Sequence, residues 1–169
     1  KENIYFVISY NEKINLPNIE KVFFELDQTK VYWKSWCYKT PSFESYNDEI
    51  LRSAMTLKLL NFEKTGAIIA AATTSIPEAI GEERNWDYRF CWIRDASMVI
   101  KVISKIGHVK MVKNFIDFIL NIIPDKNEKL QIMYGISGEK NLHEETLDYI
   151  SKFKNTQMMT INTKNCGLL

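Results

Sequence analysis

Gly81-Glu82-Glu83-Arg84-Asn85-Trp86-Asp87-Tyr88-Arg89-Phe90-Cys91-Trp92-Ile93-Arg94-Asp95 is the densest stretch of chemistry in the chain. It interleaves aromatic and charged residues just before a helical apolar period begins. Sugars present an apolar ring face and a rim of hydroxyls. Aromatic rings stack on that face, while carboxylates and guanidinium groups make forked hydrogen bonds to adjacent hydroxyls. Arg94 and Asp95 beside tryptophans therefore suit a carbohydrate pocket. The same residues also suit a plain helix N-terminus, with Asp95 as cap and Arg94 in a salt bridge.

Downstream of this stretch, Asp95 or Ser97 opens a helix through Ile106, with Gly107 as its C-terminal cap. A second helix runs from about Val109 to Ile123, where Pro124 stops it. Leu130 to Tyr134 reads as extended. Asn141 with Glu144 resembles a capping box opening a last helix to Phe153. The tail from Asn155 has no clear period.

Upstream, Gly66 to Gly81 holds small residues, threonines and a proline, and reads as extended backbone and loop. Before it, Ser45 or Asn47 caps a helix whose stripe is Ile50, Leu51, Ala54, Leu57 and Leu60, ending at Thr65-Gly66. Pro17 suits the first turn of an earlier helix through Ile19, Val22, Phe23, Leu26 and Trp36, which Thr40-Pro41 breaks. Ile4 to Tyr10 is a run of β-formers and reads as a strand without a nearby partner.

The chain has 169 residues, 46% hydrophobic and 25% charged, which is ordinary for a globular domain with a sizeable core. A net charge of +1 gives no field for nucleic acid or an anionic membrane surface. The longest apolar candidate, Phe115 to Ile123, is too short to span a bilayer and contains Asp117. Cys37, Cys91 and Cys166 show neither metal-ligand spacing nor a disulfide framework, and read as reduced thiols of a cytoplasmic protein. The opening Lys1 leads us to expect a processed start or a fragment boundary. His108 and His143 read as polar contacts at helix ends, and Met55, Met98 and Met111 as core residues. No metal and no cofactor is expected.

The run Gly66-Ala-Ile-Ile-Ala-Ala-Ala-Thr-Thr-Ser-Ile-Pro-Glu78, followed by Gly81 to Ala96, resembles the signature of bacterial and archaeal family-15 glycoside hydrolases, of the glucoamylase and trehalase kind. Arg52-Ser53-Ala54, Leu57 to Leu60, Leu130 to Ile136 and Gly138-Glu139 match in register. Ala72 departs from the pattern, which usually has proline there, and the match fades after Lys154. The resemblance implies a mainly α fold: the opening part of an (α/α)6 barrel, preceded by the last strand of an N-terminal β-sandwich. Its domains would be residues 1–12 as the sandwich end, 13–40 as a linker helix and 41–169 as a partial barrel. It also implies hydrolysis of α-glucosidic bonds with inversion, the substrate being an α-glucan or trehalose. By the same resemblance Tyr88, Trp92, Arg94 and Asp95 bind the non-reducing glucose.

Inversion needs a general acid and a general base roughly 6.5–9.5 Å apart. In the family both are glutamates beyond the matched region. Glu82, Glu83, Asp87 and Asp95 read as loop charges, caps or substrate contacts rather than as that pair. The expectation is therefore a fragment of an α-glucosidase, inactive alone, whose partner would be the remaining part of the barrel. A non-catalytic carbohydrate-binding remnant and a truncated gene product are the alternatives.

Overall fold

A computed structural model describes residues 4–11, 13–14, 18–73, 86–123, 130–146 and 159–162. The chain divides into two units, Lys1–Tyr38 (with Leu168–Leu169) and Lys39–Gly167.

The first unit is dominated by helix α1, Ile19–Lys39, whose last residue already belongs to the second. Asn18 starts it: its Oδ1 accepts the Glu20 N–H at 3.1 Å, satisfying a donor that the first turn leaves open. Lys21–Glu25 and Lys30–Asp27 pair along its exposed surface. Pro17, expected in its first turn, lies outside the described residues. Residues 4–10 do not form the expected strand. A strand exists only where a neighbour completes its ladder of N–H and C=O groups, and no described segment pairs with this one. Its side chains are instead largely exposed, and Tyr5 sets its ring edge-on against Phe23 of α1.

The second unit begins with α2, Asn47–Leu59. Neither Ser45 nor Asn47 caps it. Tyr46 holds the boundary in a left-handed conformation, and the Asn47 carboxamide turns back to accept the Phe43 N–H at 3.1 Å. The helix also ends before Thr65-Gly66. The Leu60 carbonyl accepts from Ile69 and the Ala67 carbonyl from Phe62, so a short antiparallel bridge takes over from the helical ladder. Gly66, at φ +88°, closes the tight turn between Phe62 and Ala67. Its Cα faces the main chain of Asn114 so closely that a methyl group there would overlap the carbonyl. Residues 67–71 then run extended, as expected for this segment; positions 74–81 lie outside the described residues.

Strand β1, Cys91–Trp92, pairs antiparallel with β2, Met133–Tyr134. Helix α3, Ile93–Lys105, follows β1 directly and starts two residues before Asp95. The carbonyl of Ile132 accepts the Ile93 N–H at 3.1 Å, so the neighbouring chain does what a side-chain cap was expected to do. Gly107 ends the helix as expected, at φ +85°. The His108 N–H returns to Ile103 and the Gly107 N–H to Ser104, the bonding pattern of a Schellman cap. The corner leads into α4, Val109–Ile122.

Helix α4 carries two apolar stripes. Met111, Phe115, Phe118 and Ile122 are buried, whereas Ile116 and Leu120, on another face, are 49% and 63% exposed. Met98 on α3 is 63% exposed rather than a core residue, because Ala96 and Ile103 occupy the buried face of that helix. Met111 is buried as expected and Met55 half-buried. The core lies where α3 and α4 meet the extended segments, with Ile68, Phe90, Cys91 and Tyr134 nearly inaccessible.

The helix expected from Asn141 is not formed at its start. Residues His143–Thr146 are strand β3, paired antiparallel with β4, Met159–Asn162. Backbone groups that a capping box would direct into a first turn are bonded across to β4 instead. The rest of the expected helix, 147–153, lies outside the described residues. Among the described residues no helix is long and apolar enough to cross a membrane.

Candidate functional site

The aromatic and charged motif folds as one tight turn feeding a helix. Asp87, 1% exposed, is its centre. Its Oδ1 accepts the Arg89 N–H at 3.0 Å, an Asx-type turn two residues long. The Arg89 guanidinium then closes on the same carboxylate, with Nε 3.1 Å from Oδ1 and Nη2 2.7 Å from Oδ2. The Asp87 carbonyl accepts the indole N–H of Trp92 at 2.8 Å. Two backbone bonds stitch the turn to the extended segment: Ala70 N–H to the Phe90 carbonyl and Ala71 N–H to the Tyr88 carbonyl. On the other side β1 is held by β2.

This scaffold brings three rings together. Trp86 meets Trp92 edge-on at 6.0 Å between centroids, and Tyr88 lies 6.2 Å from Trp92 at a tilt of 58°. Trp86 is 39% exposed, and Tyr88 and Trp92 are half-buried, so the cluster has accessible surface. Such rings offer apolar faces to a ligand while their polar atoms are already bonded or solvated.

Arg94 and Asp95 occupy the first turn of α3. The Arg94 side chain is 72% exposed and its Nη2 sits 3.3 Å from Asp95 Oδ2, an ion-pair distance without hydrogen-bond alignment. Asp95 does not cap the helix, which has no side-chain cap. Its Oδ2 is buried and has no hydrogen-bond partner among the described residues. A carboxylate at a helix N-terminus faces the positive end of the local dipole. A short, charge-assisted bond from a ligand hydroxyl is the chemistry such an oxygen can take.

Of the residues singled out from sequence, Tyr88 and Trp92 are in ring contact, and Arg94 and Asp95 are paired with each other. Asp87 is corrected: with its side chain fully buried and spent on Arg89, it is neither a solvated loop charge nor a substrate contact. The signal for it was present as Asp and Arg two residues apart around one aromatic. Glu82 and Glu83 lie outside the described residues.

Two further groups are buried. Burial pushes the Cys91 thiol up to about 11, against a weaker opposing effect of a backbone hydrogen bond at Ile68, so it is a poor nucleophile. His108 follows the Schellman cap and stands at the head of α4, with its Nε2 2.8 Å from Thr40 Oγ1. Burial, then Lys39 and Lys58, lower its pKa from the ordinary 6.5. A helix-end polar contact was the expected role of this histidine.

Comparison with known proteins bears on this geometry. Residues 44–167, which contain the whole turn and the head of α3, match the Glycosyl hydrolases family 15 profile. A protein named trehalase from Thermoplasma volcanium is 40% identical over 129 residues, 76% of this chain and 20% of the relative. A trehalase from Thermoplasma acidophilum is 38% identical over 133 residues, 79% of this chain and 23% of the relative. A trehalase from Mycolicibacterium smegmatis is 32% identical over 167 residues, 95% of this chain and 25% of the relative. The chain thus spans a fifth to a quarter of the length of these relatives. No solved structure matches it significantly. With a family match over most of its length, enclosing the aromatic turn and the Arg94-Asp95 pair, the chain belongs to glycosyl hydrolases family 15.

Proposed function

We propose that this chain supplies the wall for the non-reducing glucose in an inverting α-glucosidase that cleaves trehalose. Tyr88 and Trp92 form the apolar side, and Arg94 and Asp95 hold the hydroxyls. The observation that carries the reading is the aromatic pair beside the head of α3, inside the segment matched to the family. The names of the relatives favour trehalose over a glucan. In this reading residues 41–169 are the opening part of an (α/α)6 barrel, 13–40 its linker helix and 1–12 the end of a β-sandwich.

Asp87 is locked by Arg89. In this reading the general acid and base are the glutamates that the family resemblance puts beyond the matched region. Proton transfer by such a group typically contributes on the order of 10²–10⁴-fold, so the 169-residue chain alone should release no glucose from trehalose.

The test is proton NMR of the protein carrying this segment, incubated with trehalose and separately with maltose. Inverting cleavage of trehalose delivers one β-glucose for each α-glucose before mutarotation. Release of α-glucose alone would refute inversion. Cleavage of maltose but not trehalose would move the reading to a glucan. Trehalose binding without cleavage would leave a carbohydrate-binding module.

A further inference from the structure

We infer that Asp87 and Arg89 are positioning residues that set the angle of the Trp92 indole, and through it the shape of the sugar-facing wall. This deepens the sugar-binding reading above and rests on it. An indole attached through a single side chain can swing about two torsions, so its face is useful only if something else fixes it. Here the fixing group is the Asp87 carbonyl, 2.8 Å from the indole nitrogen. That carbonyl belongs to a turn whose own conformation is held by the Asp87 side chain, through the Arg89 N–H at 3.0 Å and the forked contacts of the guanidinium. The Asp87 carboxylate is fully buried while the Arg89 side chain is 43% exposed. The fork thus reaches from solvent into the turn and closes over it. Tyr88 stands between the two charged residues in sequence and contacts the same indole, so one clamp orients both rings. The Asp87 carboxylate is buried within the turn, and the two residues act through Trp92.

The planar guanidinium is essential to this arrangement, because an ammonium cannot span both carboxylate oxygens in one plane. In the protein carrying this segment, Arg89→Lys is expected to alter the tryptophan region of the near-UV circular dichroism spectrum, which reports the relative angle of Trp86 and Trp92. It should raise KM for trehalose about tenfold with kcat within about twofold, the signature of lost ground-state and transition-state binding in equal measure. Asp87→Asn keeps an acceptor for the Arg89 N–H and should show a smaller change of the same kind. Trp92→Phe removes the indole donor, and Arg89→Lys added to it should cost little more, because both act on one ring. Unchanged near-UV spectrum and KM in Arg89→Lys, with only a lower melting temperature, would overturn the inference. So would additive KM effects in the double variant. Failure of the sugar-binding reading shows elsewhere, as absence of trehalose binding and cleavage by the unsubstituted protein. The spectra of the variants still judge the clamp in that case.

Discussion

Gly66 and Gly107 have almost the same backbone conformation, φ +88° and +85°, in different surroundings, and alanine at each separates two costs. Forcing an L-residue into the left-handed region costs about 1–2 kcal/mol. Both variants carry that cost. At Gly107 the added methyl meets only the Lys39 carbonyl oxygen at 3.9 Å, ordinary contact, so Gly107→Ala should destabilise by about 1–2 kcal/mol and no more. At Gly66 the methyl meets the main-chain carbonyl of Asn114, in the middle of α4, which cannot rotate away as a side chain could. Overpacking of this sort typically adds 1–3 kcal/mol, which gives about 2–5 kcal/mol for Gly66→Ala. For a protein of 150–250 residues each kcal/mol is roughly 2–4 °C in Tm. Urea unfolding of both variants, followed by circular dichroism with ΔG extrapolated to water, is the measurement. Equal losses at the two positions would refute the close approach of the Phe62–Ala67 turn to α4.

Other outcomes follow from the same geometry. Asp95→Asn should lower kcat/KM for trehalose by about 1.5–3 kcal/mol, the range for hydrogen bonds to charged groups, with little change in Tm. Glu139→Gln, at a side chain whose Oε2 accepts the Ser137 N–H within its own loop, should cost far less, and equal effects in the two variants would reduce Asp95 to a helix-terminus charge. Burial, then Lys39 and Lys58, lower the His108 pKa in the fold, so the unfolded chain binds its proton more readily. Stability should therefore fall as pH drops below the ordinary 6.5 and level off beneath the lowered folded value, a slope that His108→Asn should flatten in melts against pH. Cys91, fully buried with its thiol pushed up to about 11, should resist iodoacetamide in the native protein while half-buried Cys37 reacts first; mass spectrometry of the labelled peptides checks the order. The exposed stripe of α4 should drive self-association of the isolated chain, and Ile116→Lys with Leu120→Lys should reduce it in sedimentation velocity; a parent chain that sediments as a compact monomer would refute this.

The helices α1 to α4 were legible because their apolar residues recur with helical period, and Gly107 was legible as a stop because a left-handed cap favours glycine. The start of α4 at Val109 was legible too, but the caps of α2 and α3 were not. Ile93 is capped by the carbonyl of Ile132, a partner distant in sequence that no local pattern announces. Asn47 is a good capping residue by type, yet its side chain is engaged by Phe43. Asn141 and Glu144 have the spacing of a capping box, and pairing with residues 159–162 outweighs it. At the candidate site the residue types of the sugar wall were readable, since rings and forked charges sit within one short run. The roles of the two flanking charges were not. Whether an aspartate is solvated or buried depends on which segment lies over it, and composition is silent on that.

The stitching of the aromatic turn also orders events during synthesis. Its bonds to Ala70 and Ala71 join segments close together in the chain, so they can form as soon as Trp92 has left the ribosome. Strand β2, which secures the other side, is made only after the whole of α3 and α4. At roughly 5–20 residues per second the nascent turn waits a few seconds with one flank unpaired. During that interval its exposed rings and the free edge of β1 are surfaces that a chaperone or a neighbouring nascent chain can engage. Slow codons placed between α4 and β2 should lengthen the wait and lower the yield of folded protein.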